Sequence, residues 1–488
     1  MFSARGALTV TVSAGVVAAG VFAAAIAPAG AAAREQFLVS QIEFPMPLVE
    51  RGDRVEIGYD AQKAPNAVEV PDATGTLYVR NDLQRNFTAV SLTIRKSLQR
   101  VCSDPNHVKL RALVPQRLLA GRKLFYYAVI RNQRLGLSAT VPAAGARAPE
   151  SVWIINGAFR VNLGTHVFGH PQAPEAVVAK AGPSEVGFGR DGLVFGPKSF
   201  DLGKDHSVWL WDSVNIRVLM WAPGHPNGVA RTVGLPFSPG DIAAGPAGSL
   251  YLLRDGPPGS AFGRLTRLSA RGKALWTSRI ARRPPGLATG PGGTLYWTGP
   301  PSEQSKEQQA RTCRGNYPWM PVATAAGRPV SLATQKQRTL SSEPLPGGMR
   351  LVRMIAGYDK NFAPHEARVA LVNRAGRVVH AWRIRSQTAI LAHGGSTLVG
   401  GDPVIVLDAT EAFTGAPTPR SEYVVLRLGP RGCIRTRFAL PNNDPPRSAY
   451  GDGVITDIRV QPNGKLYQLG SAPDFGAAVY RHSLRRTR

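Results

Sequence analysis

The sequence predicts an all-β protein, with an N-terminal β-sandwich followed by a six-bladed β-propeller. Three observations lead there. The 488 residues include 52 Gly and 40 Pro, spread singly between short apolar runs, which is turn punctuation rather than a disordered tract. A Pro/Gly turn feeding an aromatic-bearing strand recurs in GPAGSLYLL (Gly245–Leu253), GPGGTLYWT (Gly290–Thr298) and QPNGKLYQL (Gln461–Leu469). The aromatic strands begin at Ser207, Ser249 and Thr294, and a repeat of about 40–45 residues is a propeller period.

The N-terminus reads as an address. Arg5 is the only charge before Arg34, Ala7–Ala27 is an Ala/Val/Gly-rich run, and small-x-small sites follow up to Ala33. Residues 1–33 are therefore expected to be a signal peptide cut near Ala33. The alternative is an uncleaved anchor, since the run is long enough to span a bilayer. No second spanning segment follows, and the expectation is an exported, monomeric protein of the cell envelope or medium. Formal net charge is +27, a field that attracts polyanions. For an exported chain these are envelope polymers or anionic lipid rather than nucleic acid. Three cysteines, Cys102, Cys313 and Cys433, are too few for a disulfide scaffold, and their expected positions on different blades and domains predict no bridge.

From Glu35 to Ala148, seven short β-rich runs between Phe37 and Val141 fit an antiparallel sandwich. Leu118–Val141, LLAGRKLFYYAVIRNQRLGLSATV, resembles the last hairpin of a fibronectin type III domain. The resemblance implies a spacer or adhesive module, with Tyr126 or Tyr127 as its corner tyrosine. Pro142–Pro149 reads as a linker, and 149–195 as a connection that includes a strand closing the propeller. His166 and His170 in HVFGH have a metal-compatible spacing, but Gly169 breaks a helix and no third ligand is near in sequence. The expectation is a loop with two exposed imidazoles and no metal.

Six blades are counted from Gly196 onward. Blade three is interrupted by a polar insertion, Ser302–Asn316, and resumes as WMPVAT and PVSLATQ. Blade six stops after its third strand, so its outer strand must come from upstream, because a ring with a bare edge is an aggregation hazard. Val152–Ile155, Arg160–Leu163 and Leu193–Phe195 are the candidates.

Asp212-Ser213-Val214-Asn215-Ile216-Arg217 follows a hydrophobic strand and resembles the core of an NHL repeat. In residue terms, Asp212 and Asn215 cap a tight turn and Arg217 reaches back to Asp212 or to a carbonyl. Aligned on the aromatic strands, Ser199, Asp241, Gly286 and Asp457 stand at the entry to the innermost strand. Asp241 and Asp457 there either hold a cation or cationic ligand, or cap the backbone of the next blade. Similarity to gluconolactonase-type propellers implies a channel calcium, although Ser199 and Gly286 depart from that pattern. His393-Gly394-Gly395-Ser396 reads as a turn before a strand, since no G-x-S-x-G elbow accompanies it. No phosphate loop or H-E-x-x-H occurs.

The leading expectation is a non-catalytic binding protein without cofactor, and the alternative is a calcium-dependent lactonase. NHL-type propellers are mostly binding platforms. The expected binding face carries the loops after second strands and between blades. There Arg311 and Arg314, with Trp319, suit an anionic polymer, and a protein partner is the other option.

Overall fold

The computed structural model describes residues 36–484, apart from 95–109, 299–317, 442–454 and a number of shorter stretches. The chain is all-β. Among the described residues the α-helix is Leu332–Gln337, and no helix is long and apolar enough to cross a membrane. Residues 1–33, Cys102, Cys313 and the insertion 302–316 lie outside the described residues.

Ten strands between Gln36 and Ile155 join by hydrogen bonds, eight along one path and two, Val68–Glu69 and Leu137–Val141, as branches from it. Thr88–Ile94 pairs with Ala73–Asn81 and, at its end, with Leu110–Leu113. Ile57, Tyr59, Leu77, Leu110, Tyr126 and Ile154 share one core. Lys123–Asn132 buries every second residue over most of its length, as the two-residue period of a strand with one apolar face requires. Tyr126 therefore points into the core at 2% exposure, whereas Tyr127 stacks on Tyr78 at 4.8 Å.

Six sheets form the propeller. Blade one comprises Ser199–Leu202, Val208–Asp212, Arg217–Trp221 and Arg231–Gly234. Blade two comprises Asp241–Ala244, Leu250–Asp255, Gly263–Leu268 and Ala274–Ile280, and blade three Gly286–Thr289, Leu295–Thr298 and Trp319–Ala323. Blade four holds Glu343–Pro344, Arg350–Tyr358, Pro364–Val372 and Val378–Arg385. Blade five holds Ala389–Ala392, Asp402–Thr410, Ser421–Leu428 and Ile434–Pro441, and blade six Ile455–Val460, Lys465–Ala472 and Gly476–Ser483.

One turn joins first and second strands in five blades. The N–H of Gly203, Gly245, Gly290, Leu345 and Gln461 each donates to the carbonyl four residues on, at 2.7–2.9 Å. The residue before that carbonyl has positive φ: His206 (69°), Gly248 (66°), Gly293 (84°), Gly348 (72°) and Gly464 (78°). Glycine takes that conformation without steric cost, so it recurs there, and His206 is the exception.

PVSLATQ does not continue blade three as a strand. Leu332–Gln337 is helical, begun by Ser331, whose hydroxyl accepts the N–H of Thr334 as an N-cap should. Gln335 is fully buried. It accepts from the N–H of Ala281 and donates to the carbonyl of Arg279, tying the helix to blade two.

The described residues from Phe159 to Ala179 run as a belt along the outer edges of blades four to six. Phe159–Asn162 pairs in parallel with Val378–Arg385 as a fifth strand of blade four. The chain then crosses blade five, and Glu175–Ala179 pairs antiparallel with Gly476–Ser483 as the outer strand of blade six. None of the three candidate segments takes that outer position. Glu150–Ile155 pairs within the N-terminal domain, Phe159–Asn162 serves blade four, and Val194–Phe195 pairs with Gly189–Arg190.

The N-terminal domain docks on blade four. Leu48, Trp153 and Ile155 share an apolar cluster with Val352, Met354, Ala370 and Val372. Beside it, the Glu366 carboxylate accepts from Arg383 Nε at 2.7 Å, Arg368 Nε at 2.8 Å and Arg385 Nε at 3.1 Å. Arg368 also donates to Asp53, and Arg383 to Glu50, both across the junction. Burial opposes the Glu366 charge, but the surrounding guanidinium groups hold its carboxyl below the usual range.

Glu366→Ala leaves these guanidiniums without their shared acceptor and should cost about 3–5 kcal/mol, the expected penalty for breaking a buried charge network. Arg385→Ala, at an exposed side chain, should cost less than about 1 kcal/mol. Urea midpoints of the two variants measure the contrast, and equal midpoints would contradict this account.

Candidate functional site

At the centre of the ring the first strands of blades one, two and six meet. Asp241 accepts the Ser199 hydroxyl at 2.5 Å and the N–H of Ile242 at 2.8 Å on one oxygen, and the N–H of Leu287 at 2.6 Å on the other. This carboxylate thus ties blades one, two and three together. A Cβ at Gly286 would sit 3.4 Å from Asp241 Oδ2, an ordinary contact, so this approach does not require glycine. Asp201 of blade one accepts the N–H of Ala244 in blade two at 2.8 Å. Asp457 accepts its neighbour's N–H, from Ile458, and the Arg459 guanidinium at 2.5 Å.

Arg459 also lies 3.9 Å from Asp201 and over the Phe200 ring. Burial alone would lower its pKa, but Asp457, Asp201 and Asp241 raise it, and it keeps its charge. Burial pushes the Asp201 and Asp457 carboxyls up, and Asp241 up to about 6. These residues do not fit a channel calcium. Asp241 is committed to hydroxyl and backbone donors, and the cation beside Asp457 and Asp201 is a guanidinium. Arg459 and Asp201 are absent from the expected site. Their signal is the two-residue period of a strand, which puts Asp457 and Arg459 on one face.

Asp212 is fully buried. It accepts from the Gly187 N–H at 3.1 Å, Asn215 Nδ2 at 2.7 Å and Arg217 Nε at 2.9 Å. Asp212, Asn215 and Arg217 therefore hold the turn between the second and third strands and draw in Gly187. Trp319 lies at 9% exposure with its ring 5.9 Å from Tyr296, so it packs inside blade three. Arg311, Arg314 and residues 393–395 lie outside the described residues. Cys433 is a free, exposed thiol.

The loops after the second strands of blades four and five, with the connection between these blades, build a cavity of about 610 Å³ against the belt. Asp359, Asn361, His365, Gln387, Thr410 and Glu411 supply polar walls, and Phe168 and Phe413 supply rings. Arg420 grips Glu411 with two hydrogen bonds at 2.6 and 2.8 Å and lies over the Phe168 ring at 4.8 Å.

Phe168 meets the His166 ring edge-on at 4.7 Å. His166 is not exposed as its loop suggests; it is 8% exposed. The third group missing from the local sequence is Glu422, at the start of a blade-five strand. Its Oε2 lies 2.7 Å from His166 Nε2 and 2.8 Å from His170 Nδ1. Its Oε1 accepts the N–H groups of Gly169 at 2.6 Å and His170 at 2.9 Å. Burial lowers the His166 pKa against the pull of Glu422, which favours a neutral ring. Burial works to raise Glu422, but the backbone and imidazole donors hold it below the usual carboxylate range.

No protein-family model matches the chain, and no curated protein matches it. Similar solved structures include the PQQ-bound aldose sugar dehydrogenase from Streptomyces coelicolor, at 12% identity over 64% of this chain and 96% of that one, TM-score 0.33. A streptogramin B lyase is similar at 10% identity over 59% and 93% of the chains, TM-score 0.28. A Bacteroides caccae protein of unknown function is similar at 11% over 66% and 91%, TM-score 0.29.

Because Asp241 titrates at about 6 when folded and near 4 when unfolded, the folded chain binds more protons between those values. Its contribution to stability is therefore present at low pH and falls by up to about 3 kcal/mol as pH rises from 4 to 6. Comparing urea unfolding of the parent and Asp241→Asn at pH 4.5 and pH 7 isolates the term. The gap should narrow at pH 7, and a gap that widens would overturn the assignment.

Proposed function

We propose that the chain is an exported binding protein that holds a polyhydroxylated segment of a cell-envelope polymer in the cavity on blades four and five. The observation that carries this reading is the lining: amide, carboxylate, imidazole and hydroxyl side chains beside two phenyl rings. Sugar rings offer hydroxyls to such polar groups and an apolar face to an aromatic ring, and a few placed polar groups fix orientation in a concave site. The cavity belongs to the loops after second strands and between blades, which can vary without disturbing the strands beneath. The positive charge of the chain supports encounter with an anionic envelope at low salt. The N-terminal domain would be a sandwich-type spacer, braced on blade four by the Glu366 network. Export rests on the Ala-rich leader, and the NHL-like character on the Asp212 triplet.

Phe413→Ala removes a partly exposed ring and should weaken binding to isolated envelope glycan by about tenfold or more, with the melting temperature nearly unchanged. Deleting 302–316 should leave that binding intact. If the deletion abolishes binding and Phe413→Ala does not, the site belongs to the blade-three insertion instead.

A further inference from the structure

We infer that His166, His170 and Glu422 form a binding site for one divalent transition metal of the zinc class. The three ligand atoms, His166 Nε2, His170 Nδ1 and a Glu422 carboxylate oxygen, all lie within 4.8 Å of one another. They come from a belt loop and a blade-five strand 252 and 256 residues away in sequence, so local chain geometry does not force the meeting. Both imidazoles aim a ring nitrogen at the same oxygen, Oε2. The other oxygen, Oε1, is fixed by the Gly169 and His170 N–H groups, which orients the carboxylate as outer-shell partners orient metal ligands.

The chemistry of the set selects the ion. Two imidazoles and one carboxylate suit zinc and its first-row neighbours, whereas calcium and magnesium take all-oxygen shells. Tetrahedral zinc at about 2.0–2.1 Å from each ligand places ligand atoms roughly 3.3 Å apart. The present separations of 2.7 and 2.8 Å would open by about half an ångström. His170, with its side chain 41% exposed, is free to make that adjustment, while His166 is held against Phe168. Three protein ligands leave a fourth position, as in open zinc sites, and His166 also lines the cavity. The inference does not depend on what the cavity takes, because it concerns the ion alone.

The test uses the full chain after chelator treatment, titrated with Zn2+ and with Co2+ as a spectroscopic probe. One equivalent should bind, with tetrahedral cobalt absorption and a rise in melting temperature of several degrees. His170→Ala, at a partly exposed ring, should keep the metal-free melting temperature and weaken binding about hundredfold. Glu422→Gln, which keeps the side-chain shape but not the charge, should weaken binding as much, with some loss of metal-free stability. Three results would overturn the site: no stoichiometric uptake, unchanged affinity in both variants, or displacement of Zn2+ by equimolar Ca2+ or Mg2+. Any of these leaves Glu422 as a clasp between belt and ring.

Discussion

Carboxylates that reach from one blade to the backbone of the next are the constraint on which the ring depends. Asp201 takes the N–H of Ala244, Asp241 that of Leu287, and Glu343 that of Ser396 at 2.9 Å. Each is nearly buried, so each bond works in a poorly screened setting. Apolar contacts between blades are non-directional and would tolerate sliding. A carboxylate aimed at one N–H tolerates very little, and its loss strands a buried donor. The register of blade against blade is thus set by a few acids at the inner strands. Arg459 then offsets the negative charge that this arrangement gathers at the centre.

Much of this architecture is written locally. The Pro/Gly turn and its aromatic strand give the blade period because a positive-φ turn and an alternating strand are properties of adjacent residues. The turn at Leu345–Met349 has the same hydrogen bond but no aromatic in LPGGMRLV, so a reading keyed to aromatics passes over it. The stretch PVSLATQ misleads because its helix is begun by a serine cap and held by the buried Gln335, neither of which an apolar pattern records.

The His166 cluster shows where local reading ends. HVFGH announces two ligand-type side chains, and only tertiary structure can supply the third. Glu422 stands second in the strand Ser421–Leu428, with no other ligand-type residue beside it in sequence to mark it. Its partners become visible only once the belt is laid across blade five. The same holds for the closing strand. EAVVA at Glu175–Ala179 is short and unremarkable by composition, and its pairing with Gly476–Ser483 is a fact of topology.

The belt also sets a schedule for the nascent chain. Residues 159–179 emerge from the ribosome long before the strands they meet, since Phe159 pairs opposite Trp382 and Glu175 opposite Tyr480. For some two hundred to three hundred residues of synthesis these segments have no partner, and their apolar faces wait in water. Ring closure then joins ends far apart in sequence, the slow kind of contact in a folding reaction. Completion is therefore tied to the last strands, and a chain lacking its final blade would leave Glu175–Ala179 with no strand to pair with.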